Sequence, residues 1–106
     1  MIEILKQESI DIVSSYTFTR HAKDRSGARA IPEMITELII EYGASRDAGD
    51  GARKYALTKE SLSHLRRRAG RGIAKALSFY RDRNAYVVAC GDRIITVAYA
   101  NHPLFN

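Results

Sequence analysis

The chain has 106 residues, 45% of them hydrophobic, with a single cysteine and a formal net charge of +5. That length fits one small domain able to bury a core without cross-links. One cysteine excludes an internal disulfide, and no Cys/His spacing resembles a zinc site. The opening residues carry acids early and no long apolar run, which argues against a signal peptide, and no apolar run is long enough to cross a membrane; the expectation is therefore a protein of the reducing cytoplasm.

In chain order, Ile2, Leu5, Ile10 and Val13 form a loose apolar pattern, read as an N-terminal helix or arm over residues 1–18, with a single domain over 19–106. Thr19 is placed to cap a helix from Arg20, and Gly27 to end or bend it. Pro32 suits the first turn of a second helix, where a missing N–H costs nothing. There Ile31, Met34, Ile35, Leu38, Ile39 and Tyr42 recur at three- and four-residue spacing and predict one apolar face, stopped by Gly43. Gly49-Asp50-Gly51 reads as the turn of a hairpin over about 44–48 and 52–57. Thr58 is the next cap, followed by a stripe of Leu62, Leu65, Ala69, Ile73, Ala76, Leu77 and Tyr80 that Gly70 and Gly72 interrupt, predicting two helices with a break near 70.

The last strands are rich in β-branched and aromatic residues: "NAYVVAC" and "RIITVAYA" flank Gly91-Asp92, which suits a type II′ hairpin. Being apolar on both sides, they are expected to be central strands covered on both faces, with Cys90 in the core. The sum is an α+β domain: N-terminal helices packed on a central antiparallel sheet of about four strands with a helical insertion.

Three stretches together, "FTRHAKDRSGARAIP", "ARKYALT" and "AYVVACGDRIITVAYA", resemble a family of small, mostly uncharacterised domains. Its pattern is a His-Ala-x-x-Arg helix start, an Arg-Gly-Ile turn, a Gly-x-x-Tyr strand and a closing hairpin ending in Ile-Thr-Val. The family is related to the barnase, EndoU, colicin and RelE ribonuclease-toxin superfamily, and the resemblance covers about residues 18–100. Two departures stand out: the turn here is Arg29-Ala30-Ile31, and the helical segment from Thr58 to Arg83 is longer than in the simplest members. The resemblance implies helices on one face of an antiparallel sheet, RNA bound on the exposed face or in the cleft beside the first helices, and a partner antitoxin or immunity protein. Fold analogy alone does not fix activity.

Twelve of the 17 basic residues are arginine, the better bidentate phosphate ligand, which points to a nucleic acid or an acidic protein as partner. Metal-free RNA cleavage needs a base for the 2′-hydroxyl, cations for the phosphorane and an acid for the leaving oxygen. His21 and Arg25, four apart on a helix, would set a proton-transfer group beside a phosphate clamp, with Arg20 and Lys23 adjacent; they are equally accounted for as helix surface paired with Asp24. Alternation puts Arg53 and Tyr55 on one strand face and Lys54 on the other, with Arg53 assigned to the site and Tyr55 to the core. Thr96 and His102 complete the catalytic set, His102 being otherwise a tail histidine; His64 is explained by Glu60 one turn earlier. Arg67, Arg68 and Arg71 form a phosphate-tracking patch or the solvated side of an amphipathic helix. No cofactor or metal is expected. The resulting expectation is a metal-independent endoribonuclease toxin, with a non-catalytic basic binding module as its rival.

Overall fold

The structure, a computed structural model, describes residues 16–18 and 31–105. The expected helix at the N-terminus, the Thr19 cap and the Gly27 stop therefore lie almost wholly outside the described residues, and so do His21, Arg25, Arg20 and Lys23. The described elements are β1 (Thr17–Phe18), α1 (Glu33–Tyr42), β2 (Ala44–Gly49), β3 (Ala52–Ala56), α2 (Lys59–Ala69), α3 (Arg71–Asp82), β4 (Ala85–Cys90) and β5 (Arg93–Tyr99).

Local chemistry sets most of these boundaries. Pro32 precedes α1, and its carbonyl accepts from the Thr36 N–H at 3.1 Å and the Thr36 hydroxyl at 3.3 Å, which satisfies a fully buried threonine. Asp50 (φ 54°) and Gly51 (φ 79°) both take positive φ, as a two-residue type I′ hairpin requires. Thr58 and Ser61 cap α2 reciprocally: each side-chain oxygen accepts from the other's backbone N–H, at 3.1 and 3.0 Å. Gly70, at φ 99°, makes the elbow between α2 and α3. In the Gly91-Asp92 turn only Gly91 has positive φ, the pattern of a II′ turn.

The sheet order is β1-β5-β4-β3-β2. The two expected hairpins, β2–β3 and β4–β5, form and join through an antiparallel β3–β4 pairing, and β1 adds a fifth strand parallel to β5 through Thr17↔Arg93 and Phe18↔Ile94. The sheet is thus mixed; a two-residue strand carries no period by which a sequence would reveal it.

The core forms where the helices meet one side of this sheet: Ile39, Leu65 and Leu77 pack with Val87, Ala89, Ile94 and Val97, and Ile31 joins them. Tyr16 and Tyr55 pack at its margin. Four sequence expectations change here. Met34 is 62% exposed and Ile73 42% exposed, while Ala74 is buried. Past the Gly70 elbow the buried face of α3 runs through Ala74 and Leu77 with Tyr80 packed against the core, so Leu77 and Tyr80 keep their expected places in the stripe and Ile73 and Ala76 do not. Cys90 is exposed rather than core, because alternation turns it to the side away from the helices. The described helices pack on one face of β4 and β5; on the other, Tyr86, Val88 and Thr96 are half-buried, and Ala56 and Ala98 are buried.

Two glycine substitutions separate space from backbone freedom. Gly43 has ordinary extended φ, yet a Cβ there would sit 2.4 Å from the Ile39 carbonyl oxygen and 2.8 Å from that of Ala56. Gly43→Ala is expected to destabilise by about 1–3 kcal/mol. At Gly72 a Cβ meets nothing within 4 Å; Gly72→Ala in α3 is expected to stabilise by about 0.4–1 kcal/mol, and urea denaturation reads both. The Tyr16 phenol is raised above its ordinary 10.0, first by burial and then by Tyr55, Glu37 and Glu41. A raised acid ionises more readily in the unfolded chain, so its effect on stability is nil below that ordinary value and grows against the fold as pH rises above it. Denaturation between neutral and strongly alkaline pH should show this loss, reduced in Tyr16→Phe.

Candidate nucleic-acid interface

Strand register sorts side chains into two faces. Tyr55 lies opposite Val87, and Val87 opposite Val97, on the helix-covered side. On the other side one row runs across four strands: Arg46↔Lys54, Lys54↔Val88 and Val88↔Thr96. The neighbouring row is Ala44, Ala56, Tyr86 and Ala98. Among the described residues, no helix packs on this side.

Arg46 and Lys54 are like charges directly opposite one another, an arrangement that costs stability. Among the described residues the only ion pair is Arg81–Asp82 at 3.6 Å, so neither cation is neutralised by a described acid. Each lies instead against an aromatic ring. The Arg46 guanidinium carbon is 4.7 Å from the Phe105 centroid, and the Lys54 ammonium is 5.3 Å from that of Tyr86. Phe105 belongs to the tail after β5, whose root is pinned where Ala100 N donates to the Asn84 carbonyl at 2.9 Å. Leu104 and Phe105 then meet Arg46, Asp47, Lys54 and Val88 around a groove of about 420 Å³. Asp47 is the one acidic residue among those lining it, and its pairing with Arg53 sets its side chain on the other face of the sheet.

Comparison with known proteins finds no matching family model, no matching curated protein and no matching solved structure. The chemistry of the site therefore rests on its own geometry.

The expected site residues are distributed as follows. Thr96 is on the open face, in the row of Lys54 and Arg46, and half-buried. Arg53 shares a face with Tyr55 as alternation predicts, which is the helix side; its exposed side chain donates from Nε to Ser45 Oγ at 3.1 Å. His102 is exposed in the tail, with Nδ1 3.4 Å from the Pro103 carbonyl oxygen. Arg71 lines a hollow between α2 and α3 together with Arg66 and Lys75, whereas Arg68 lines a different one beside Tyr42, Glu60 and His64. Arg67 is exposed and lines neither. His64 lies against the Tyr42 ring, with centroids 5.7 Å apart, and makes no ion pair with Glu60.

The structure thus gathers Thr96 with two cations that sequence reasoning did not select, Arg46 and Lys54, and with two rings it did not select, Tyr86 and Phe105. Alternation had placed Lys54 opposite Arg53. What was missing was which of the two faces the helices leave uncovered.

Chemically the open face offers point charge from Lys54, a planar fork from Arg46, a hydroxyl from Thr96 and aromatic surface. If the Arg46/Lys54 repulsion is as described, Lys54→Gln should stabilise the unliganded protein by about 0.2–1 kcal/mol at low salt. The gain should shrink in high salt as screening removes the repulsion from the wild type. Urea denaturation at two ionic strengths checks it.

Proposed function

We propose that the chain acts on RNA in the cytoplasm as a metal-independent endoribonuclease of the toxin type, binding phosphates across the open sheet face. The observation that carries the binding is the directly opposed Arg46 and Lys54, in one row with Thr96 and without a described acidic partner. A polyanion converts that repulsion into attraction. The net charge of +5 and the resemblance to ribonuclease-toxin domains support the same reading.

In the proposed cleavage His21 takes the proton of a 2′-hydroxyl, and that oxygen attacks the adjacent phosphorus. Arg25, with Arg20 and Lys23, holds the charge that builds on the phosphorane, and the Thr96 hydroxyl donates to a phosphate oxygen, whereas Arg53 lies on the helix side of the sheet, away from Thr96. The bond to the 5′-oxygen breaks as His102 supplies its proton, leaving a 2′,3′-cyclic phosphate and a 5′-hydroxyl. Arg67, Arg68 and Arg71, spread over separate surfaces of the helices, contribute only long-range, sequence-blind attraction. An acidic antitoxin or immunity protein is the proposed partner.

A non-catalytic RNA-binding module is the second reading, and one observation favours it: neither described histidine, His64 or His102, lines the cationic groove.

The test is cleavage of a 5′-labelled RNA in excess EDTA by the wild type and by the His21→Ala, Arg25→Ala double variant. Cleavage that leaves cyclic phosphate ends and is abolished in the variant is the expected result. Undiminished cleavage by the variant removes both residues from the mechanism. Absence of cleavage with tight, salt-sensitive binding selects the module. For either reading, log affinity should fall with log salt by about 0.7 per phosphate contacted on a single strand.

A further inference from the structure

The geometry points to a subsite for one unpaired base of an RNA single strand in the groove between β2, β3 and the C-terminal tail, with the base stacked on Phe105 and the adjoining phosphates on Arg46 and Lys54. This rests on the RNA reading and adds what that reading leaves open: the strandedness of the ligand and the ring that reads it.

Three features of the groove select a nucleotide rather than a bare anion. Val88, Leu104 and Phe105 give it an apolar part, where a phosphate alone gains nothing. Phe105 stands at its side, half-buried, while the cations occupy the adjacent row. A nucleotide has both parts, a flat apolar base and an anionic link, in the same juxtaposition. The volume of about 420 Å³ lies at the low end of small-ligand pockets, roughly 300–1,000 Å³.

The same features select an unpaired base. Stacking on a side chain needs a free π-face, which bases in a continuous duplex give to one another. A duplex would reach this face only through its phosphates. Because every base has a π-face, the subsite is tolerant of sequence.

The attachment of Phe105 explains how it serves as a platform. Backbone and side-chain bonds between Asn84 and Ala100, at 2.9 and 3.5 Å, hold the tail's root against the start of β4. The ring itself lies against the Arg46 guanidinium, with Leu104 lining the same groove.

The chain contains no tryptophan, so Phe105→Trp installs a single reporter at the proposed contact. The probe is a ten-nucleotide 2′-O-methyl RNA without self-complementarity, which lacks the nucleophile for cleavage, tested alone and annealed to its complement. The single strand should quench the tryptophan and the duplex should not, and the quenching should vanish in the Arg46→Gln, Lys54→Gln background. By fluorescence anisotropy of a labelled strand, Phe105→Ala should bind roughly 5- to 100-fold more weakly, the loss of one base stack. Single-strand binding by anisotropy without quenching, and unchanged in Phe105→Ala, overturns the subsite while leaving RNA binding in place. Equal quenching by strand and duplex overturns it as well. No binding of either probe to the wild-type chain overturns the RNA reading, and the subsite with it.

Discussion

Where the charges of this sheet stand depends on its register parity, and the helix-side core is what holds that parity. Val87 and Val97 face each other under Ile39, Leu65 and Leu77, all of them fully or almost fully buried. Each such side chain contributes about 1.5–3 kcal/mol through burial. Side chains alternate with a period of two, so slipping β3 by one residue would exchange Tyr55 for Lys54 against this core. The burial energy that forbids the slip also commits Lys54, and Arg46 opposite it, to the outer face. The cationic row is a by-product of apolar packing on the other side of the same strands.

That arrangement has an electrostatic cost, borne locally. Two like charges face each other across β2 and β3, and the described acids do not neutralise them. The aromatic rings of Phe105 and Tyr86 soften the cost by offering quadrupole attraction without net charge. A carboxylate in either place would be the better stabiliser of the free protein and would cancel the site for an anion. Aromatic partners leave the positive charge intact for a ligand.

The helical arginines follow a different logic. Arg66, Arg67 and Arg68 occupy the last turn of α2, where cations complement the negative end of the helix dipole. Their density in the sequence therefore has a structural cause, and the elbow at Gly70 then parts them. Arg66 and Arg71 face one hollow and Arg68 another. A run of arginines that looks like one patch in the sequence is distributed over separate surfaces.

Much of the framework was legible from local chemistry alone. The Asp50-Gly51 turn, the Thr58 cap, the Gly70 break and the Gly91 turn each act within four residues of chain, so their effects are readable without knowing the fold, whereas the need for glycine at Gly43 comes partly from the Ala56 carbonyl of a distant strand. The α+β class and the two hairpins β2–β3 and β4–β5 follow from those signals and from β-branched runs, whereas the β3–β4 pairing across α2 and α3 is a tertiary result. The alternation of Arg53, Lys54 and Tyr55 was also readable; only the packing of the helices decided which side would be covered, since that depends on contacts between Ile39, Leu65, Leu77 and strands far away in sequence. For the same reason tertiary structure alone decided that Cys90 is exposed, that Ile73 gives way to Ala74 after the elbow, that Thr17 and Phe18 join the sheet edge, and that Phe105 crosses back to lie against Arg46 from 59 residues away in sequence. Local preferences determined the elements and their turns; the exclusion of water from one face of the sheet determined where the charges stand.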